Sequence, residues 1–263
     1  GVAEITLDVS GTTEGSLVIG QDSQSGYQAN VTFTDGNEDG EVTIEFNTYT
    51  AGDTDETIVS AAAEDDSATL AYGSTSLGEG DLLAQGGYNL AVDTGHSPDS
   101  GDDVFNSGSA AFSALSIGPR STDSMTLWTV PGSANADEVY DATMTQDTTI
   151  AQDDWVVHQV SASGIEGLVA AEGNFSAALG NGLNVTVEQT EASTLQNRGP
   201  KTLNVTEALD NDDIALIADA ENDSYYVALD TSTTTFERTN TDADSLGVNA
   251  DEEYTATFTV DDS

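Results

Sequence analysis

The sequence is dominated by an excess of acidic side chains. It contains 48 aspartates and glutamates against four lysines and arginines, so the formal net charge is −44 over 263 residues. At ordinary ionic strength so many like charges oppose a compact state, whereas in molar salt the Debye length falls to roughly 3 Å and neighbouring carboxylates are screened from one another. The composition therefore predicts a protein adapted to very high salt.

High net charge with few apolar residues is also typical of disordered chains. Against disorder, the apolar residues occur in short alternating runs that include most of the eight tyrosines, seven phenylalanines and two tryptophans. Such runs are typical of strands with one buried face. We therefore expect a folded chain with thin hydrophobic cores.

The composition excludes several classes of partner and chemistry. The four cations are scattered along the chain and form no basic stripe, so no nucleic acid or anionic lipid is expected as a partner. There is no cysteine, which excludes disulfides, thiolate metal sites and thiol nucleophiles. No apolar run reaches membrane-spanning length, and the chain begins at Gly1 without a charged-then-apolar leader, so either a signal segment has been removed or the sequence is part of a longer chain.

Period-two alternation predicts an all-β fold. The clearest example is Val42–Phe46, and the turn at 35–40 predicts a hairpin that joins it to Val31–Phe33. One short helix is predicted at 174–179. The predicted strands cover residues 3–9, 16–19, 28–34, 41–50, 56–61, 68–72, 87–92, 111–117, 124–130, 154–162, 183–189, 201–205, 214–218, 225–229 and 253–260.

The distribution of these strands predicts two immunoglobulin-like β-sandwich domains in tandem. Residues 87–92 read Gly-Tyr-x-Leu-x-Val, which resembles the penultimate strand of immunoglobulin-like sandwiches, where a tyrosine hydroxyl fixes a corner. Residues 96–110 begin with a polar stretch rich in turn-forming residues, which favours a linker. We therefore predict domains at 1–95 and 111–263, with 96–110 between them.

The second half of the chain carries a series of short motifs. In order they are GPRST at 118–122, LWTVP at 127–131, AQDDWVVHQV at 151–160, SGIEG at 163–167, NVTVEQT at 184–190, NRGPK at 197–201, ADAENDSYY at 218–226 and YTATFTV at 254–260. From about residue 112 to 263, this order resembles the surface domain of large haloarchaeal cell-surface and S-layer-glycoprotein-like proteins.

That resemblance implies an extracellular location and a structural role. The family has no assigned reaction, so it supplies no catalytic residues. Its members usually continue into a threonine-rich stalk and a membrane anchor, which would follow Ser263.

The residues themselves also argue against an enzyme. His96 and His158 are the only side chains that titrate near neutral pH, and neither lies near a nucleophile motif of a serine hydrolase. Pairs of carboxylates are expected by chance among 48 acids, so they do not indicate a glycosidase. We predict no catalytic residues.

A partial calcium-loop pattern occurs at Asp35, Asn37 and Asp39, where oxygen donors alternate and Gly40 follows. The position of the closing bidentate glutamate is held by Phe46, so a hairpin turn is the simpler interpretation and a weak cation site is the alternative. Acidic turns such as 210–213 are further candidates for Na⁺, Mg²⁺ or Ca²⁺.

Five sequons for N-linked glycosylation are present, and four lie in the predicted second domain. Their acceptors are Asn30, Asn174, Asn184, Asn204 and Asn222. We expect glycan on at least one of them.

The partner predicted for this chain is another copy of itself, in an extracellular layer or filament. In one version, the strand carrying Ala3, Ile5, Leu7 and Val9 leaves its own domain and completes the sheet of a neighbouring copy. In the other version, this strand pairs within its own domain. A carbohydrate-binding adhesin is the alternative function, in which Trp128 or Trp155 stacks on surface glycans.

The charge balance generates a prediction about salt. The purified chain is expected to unfold cooperatively in molar salt and to lose its compact state in dilute buffer without divalent ions, because the carboxylates are then no longer screened. Circular dichroism and small-angle scattering across a salt titration measure this. A chain that stays compact and cooperative in dilute buffer would contradict the halophilic interpretation.

Overall fold

A computed structural model describes residues 1–53, 57–78, 80–94, 111–190, 197–238 and 245–261. Strands make up 49 % of the structure and helices 11 %, and the strands form antiparallel sheets in sandwich-like arrangements, which confirms the predicted all-β class. The chain forms two compact units. The first contains Gly1–Arg120 and Glu166–Ala171, and the second contains Ser121–Ile165 and Glu172–Asp262.

The first unit contains eight described strands and two short helices. Its elements are β1 (Val2–Asp8), β2 (Glu14–Ile19), α1 (Asp22–Ser25), β3 (Tyr27–Thr34), β4 (Glu41–Asn47), β5 (Val59–Ala61), β6 (Ser67–Thr75), β7 (Gly86–Thr94), β8 (Ala111–Ile117) and α2 (Glu166–Ala171).

The second unit contains the remaining described elements. These are β9 (Ser121–Val130), a 3-10 turn (Ala136–Glu138), β10 (Thr145–Gln146), β11 (Trp155–Ser163), α3 (Phe175–Ala178), β12 (Leu183–Gln189), β13 (Lys201–Leu203), α4 (Val205–Asp210), β14 (Ile214–Asp219), a 3-10 turn (Ala220–Asn222), β15 (Ser224–Asp230), β16 (Phe236–Arg238) and β17 (Tyr254–Val260).

The first unit is a sandwich of two sheets with strand orders β1-β4-β5 and β6-β3-β2-β7-β8. Alternate residues of both sheets point into one apolar core, where Leu17, Phe33, Ile44 and Phe46 are at most 1 % exposed. The predicted corner is present, because the hydroxyl of Tyr88 donates to the carbonyl of Ala84 over 2.9 Å.

One local prediction for this unit was wrong. β3 and β4 are not a hairpin: β3 pairs with β2 and β6, while β4 pairs with β1 and β5 in the other sheet. The six residues between them therefore cross from one sheet to the other. In an immunoglobulin sandwich the second and third strands lie in opposite sheets, but here β2 and β3 are paired neighbours, so the strand order differs from the immunoglobulin order.

The extent of the first unit also differs from the predicted boundaries. β8 was predicted to open the second domain, yet all seven of its residues pair with β7. Helix α2 belongs to the first unit as well, where the carbonyl of Gly167 accepts a hydrogen bond from Asn47 Nδ2 at 2.9 Å. A Cβ on Gly167 would lie 2.6 Å from Asn47 Oδ1, so only glycine permits this approach. The predicted linker at 96–110 lies outside the described residues.

The second unit contains two sheets, with strand orders β10-β9-β11-β15-β14 and β16-β13-β12-β17. β12 shows strict alternation, with Leu183, Val185 and Val187 buried and the residues between them exposed. The predicted short helix is present as α3, and the ring of Phe175 packs edge-on against Tyr225 at 5.5 Å.

A pocket of about 740 Å³ that is partly open to solvent lies in the second unit, with His158 among its lining residues. His158 is on β11 and 7 % exposed, and its Nδ1 has no hydrogen-bond partner. Burial lowers the pKa of His158 from its ordinary 6.5 to about 4. The imidazole is therefore neutral in the folded chain at neutral pH.

This burial predicts a pH dependence of stability. Because the folded pKa is below the unfolded one, the stability associated with His158 is full above pH 6.5 and is lost as the pH falls towards 4, by about 3 kcal/mol in all. Substituting His158→Leu is expected to remove this part of the acid sensitivity. Denaturant titrations of both proteins in molar salt, between pH 7 and 4, measure the difference. Parallel pH profiles would contradict the assignment.

Candidate functional site

The two sheets of the first unit have outer surfaces of different charge. In the sheet β1-β4-β5, which we call the acidic sheet, Ala3, Ile5 and Leu7 face the core while the residues between them face outwards. The outward residues of β1 and β4 are Glu4, Thr6, Asp8, Glu41, Thr43 and Glu45.

Register brings like charges together on the acidic sheet. Glu4 lies directly opposite Glu45, and Asp8 lies directly opposite Glu41. Between these pairs, the hydroxyls of Thr6 and Thr43 are 3.0 Å apart. Directly opposed like charges destabilise a sheet, so this surface needs screening by ions.

The second sheet is nearly free of carboxylates, and we call it the acid-poor sheet. Glu14 and Asp93 are the only acidic residues in its five strands β6-β3-β2-β7-β8. The centre of its outer side is buried, since Val18 and Ala91 are 0 % exposed and Asn30 is 1 % exposed.

Strand β8 forms an exposed edge of the acid-poor sheet. It pairs with β7 on one side, and no other described strand pairs with it. Residues 111–114 are exposed, and Phe112 has 60 % of its surface exposed. Natural edge strands usually carry charges, proline or a bulge that prevent pairing with another chain, and β8 has none of these.

The opposite edge of the acid-poor sheet is different. β6 also lacks charges, but its register with β3 shifts between Asn30 and Val31, which marks a bulge or irregularity. Such irregularities protect an edge from pairing. In the acidic sheet, β1 carries two acids and β5 has only three residues. β8 is therefore the described edge of this unit that is best suited to pairing.

The predicted exchange strand β1 pairs with its own β4 along its whole length. Val9 is buried, as are Ile5 and Leu7, in the core of the same unit. The start of β1 is also held in place, because Thr48 donates from its backbone N–H and its hydroxyl to the carbonyl of Gly1 at 2.9 and 2.7 Å.

In the predicted cation loop, three side-chain oxygens are used by the loop itself, while Asp35 Oδ1 is buried without a hydrogen-bond partner. Asp35 Oδ2 accepts from the backbone N–H of Gly40, Asn37 Oδ1 accepts from Asp39, and Asp39 Oδ1 accepts from Glu41, at 2.8–2.9 Å. No group of three acidic, histidine or cysteine side chains that could hold a metal occurs within the described residues. The cation site stays a prediction.

The five sequons differ in accessibility. Asn174 and Asn184 are exposed, and Asn222 is exposed at the turn before β15. Asn204 is half-buried, with its Nδ2 bonded to Glu237 and its Oδ1 to the N–H of Glu207. Asn30 is buried, so the folded chain does not present its amide to a glycosylating enzyme.

The tryptophans lie in the second unit. Trp155 is 3 % exposed and donates its indole N–H to the carbonyl of Ala134 over 3.0 Å, so it cannot stack on a ligand. Trp128 is half-buried and donates to Gln159 Oε1 at the same distance. His158 is buried, and His96 lies outside the described residues.

Sequence reasoning missed the role of the cations. The single lysine, Lys201, is 2 % exposed and bonds to the carbonyl of Gly247 at 2.6 Å and to Glu252 at 2.7 Å. Burial raises the pKa of Glu252, but hydrogen bonds from Lys201, Asn249 and Tyr254 outweigh this and lower the pKa to about 2. The pattern of lysine and glutamate spacing gave no signal of this pair.

Comparison with known proteins extends these observations. The domain family DUF7827, described as a domain of unknown function, matches residues 1–95. A cell surface glycoprotein of Haloferax gibbonsii is 37 % identical over 98 % of this chain and 29 % of its own length. Two Haloarcula hispanica proteins, cell surface glycoproteins 1 and 2, are 30 % and 31 % identical over 98 % of this chain and 30 % of their own lengths. Over nearly its whole length the chain is therefore similar to part of haloarchaeal cell surface glycoproteins.

This cell-surface-glycoprotein-like segment spans less than a third of the length of the curated relatives it matches. The relatives indicate an extracellular or cell-surface location for it. None of its described helices is long and apolar enough to cross a bilayer. No solved structure matches it.

The opposed acids predict a salt-dependent effect of one substitution. Glu4→Gln removes the repulsion with Glu45 and is expected to stabilise the segment by about 0.5 kcal/mol at the lowest salt that supports folding, with no gain in molar salt. Thermal unfolding of both proteins at several salt concentrations measures this. Thr6→Val is the matched control without a charge change. A gain that persists in molar salt would mean that repulsion is not its cause.

Proposed function

We propose that this segment is a structural building block of a cell surface, in which copies of the protein associate into an extracellular layer or filament. The observation that supports it best is the contrast between the acidic sheet and the exposed, uncharged edge of the acid-poor sheet. The relatives, named cell surface glycoproteins, support a structural role at the surface.

Charge restricts where two copies can meet. Each chain carries a net charge of −44, so contact through the acidic sheet would bring carboxylates of two copies together. Contact through β8 places Ala111–Ile117 of each copy in the interface, with no acid in either strand. Repulsion between copies is therefore low along this edge.

The geometry of an edge favours a second copy related by a two-fold axis. Two β8 strands would then run antiparallel, and the acid-poor sheets would join into one continuous sheet. Small side chains such as Ala114 and Ser116 permit close approach. This contact gives pairs, and further contacts of the longer protein would extend pairs into an array.

Strand exchange through β1 is a second version of assembly. A swapped strand would make the same seven pairs with a neighbour's β4 that it makes at home, so the change in contact energy is small. The pairing of β1 with β4 of the same chain and the hydrogen bonds that hold Gly1 favour the form without exchange. We propose no catalytic activity, and no described side-chain cluster requires one.

Substitution at the edge tests this function. Ala114→Asp puts a carboxylate on the outer side of β8 and is expected to weaken self-association in molar salt by at least tenfold, because pairing of the two edges would remove two carboxylates from part of their water, a cost that salt does not screen. Sedimentation and electron microscopy of the unaltered and variant proteins measure this. Thr257→Asp, on the uncharged edge strand β17 of the second unit, is the matched control.

The outcomes of this experiment distinguish a contact through β8 from a contact through the second unit and from no assembly. Association that Ala114→Asp reduces and Thr257→Asp does not supports the β8 contact. Association reduced only by Thr257→Asp would indicate that the contact lies in the second unit. A protein that is monomeric under all conditions would contradict assembly by this segment. Equal melting temperatures of the variants confirm that folding is intact.

A further inference from the structure

The second unit has an open cleft of about 570 Å³ whose lining is mostly apolar and aromatic. Trp128, Tyr140, Met144, Ile217 and Tyr226 contribute to its walls, and the carboxylate of Asp219 contributes an acceptor. Ile217 is 37 % exposed, which makes it one of the few large apolar side chains exposed in the described part of this acidic chain. Neither the sequence motifs nor the proposed assembly accounts for this exposure.

The cleft is rigid because its side chains lie side by side on one face of a sheet. Gln159 lies opposite Tyr226, and Tyr226 lies opposite Ile217, across β11, β15 and β14. Trp128 donates to Gln159 Oε1 at 3.0 Å, and Gln159 Nε2 donates to the hydroxyl of Tyr226 at 3.1 Å. A chain of hydrogen bonds thus fixes the orientation of the indole and the amide.

Tyr140 supports the cleft from the segment that follows β9. Its hydroxyl donates to the carbonyl of Ala215 at 2.7 Å, and its ring meets that of Tyr226 edge-on at 5.6 Å. Burial raises the pKa of Tyr140, so this phenol stays neutral. The walls are therefore preorganised and uncharged, apart from Asp219.

This combination fits a sugar ring. Aromatic side chains provide a flat apolar surface for the C–H face of a pyranose, and a carboxylate accepts hydrogen bonds from its hydroxyls. An anionic ligand would meet Asp219 and the strongly negative chain, so a neutral hydroxylated ring is favoured over an acid.

A source of such a ring lies at the rim of the cleft. Asn222 is the acceptor of a sequon, is exposed, and donates its Nδ2 to the two carboxylate oxygens of Asp219 at 3.1 and 3.0 Å. A glycan bonded to that nitrogen would begin next to a residue of the cleft. Glycosylation leaves one hydrogen on Nδ2, so a bond to Asp219 can persist.

We propose that a glycan linked to Asn222 folds back into this cleft and covers Trp128 and Tyr226. The glycan would shield the exposed apolar surface and hold its own first sugars in a fixed direction. This inference rests on the glycosylation expected from the five sequons and on the proposed surface role, and it adds a defined contact between the modification and the fold.

Tryptophan quenching tests the contact directly. The chain has two tryptophans and Trp155 is 3 % exposed, so acrylamide quenching mainly reports Trp128. The whole chain is secreted from a haloarchaeal host, mass spectrometry shows which sequons carry glycan, and quenching is measured in molar salt. Asn222→Gln is expected to raise the quenching constant at least twofold over the unaltered protein.

Two controls separate loss of glycan from loss of the asparagine. Ser224→Ala removes the sequon but keeps Asn222 and its bonds to Asp219, so it is expected to match Asn222→Gln. Asn184→Gln removes a sequon on β12 in the other sheet and is expected to leave quenching unchanged. The unaltered chain made in a bacterium without glycosylation is expected to match the two Asn222-sequon variants.

Every outcome decides the inference. Glycan at Asn222 with quenching equal in all variants would overturn it, while glycosylation of the surface segment would stand. Glycan at other sequons but not at Asn222 would also overturn it. If no sequon carries glycan, the expected glycosylation fails together with it, while the proposed assembly is decided by its own test.

Discussion

Repulsion between carboxylates determines the conditions under which both units can close. On the acidic sheet, pairing β1 with β4 in the register that buries Ile5 and Leu7 also places Glu4 against Glu45 and Asp8 against Glu41. The same register thus provides the apolar core and creates the repulsion. A shift of the register by one residue is not a way out of this repulsion, because it would expose the apolar side chains. Concentrated ions are the remaining way to lower the cost.

Two of the four cations satisfy polar groups of the backbone. Lys201 bonds to the carbonyl of Gly247 and to Glu252, and Arg238 bonds to the carbonyl of Gly199. Surface ion pairs contribute little to stability, whereas a buried cation with its partners in place fixes a loop. The net charge therefore remains on the outside, where it keeps the segment hydrated. The uncharged edge of β8 is a place where repulsion between copies is low.

The all-β class, most strand positions and the corner at Tyr88 could be predicted from alternation and turn residues, because these signals are local. The partner of each strand could not. The loop at 35–40 looks like a hairpin turn in sequence, yet Asp35 accepts from Gly40 within a crossing between sheets. The burial of Asn30 and His158 also depends on neighbours that are distant in sequence. Sequence patterns therefore identified candidate residues for glycosylation, titration and cation binding. They did not predict the burial or the hydrogen-bond partners of these residues.

Helix α2 changes what counts as a domain in this chain. Its six residues lie some 45 positions beyond the end of the first unit's continuous stretch, and Gly167 approaches Asn47 so closely that no side chain fits between them. A fragment cut at residue 120 would leave the amide of Asn47 without this partner. The first unit is therefore not one continuous stretch of sequence, and residues 1–120 alone lack a contact that the folded unit uses.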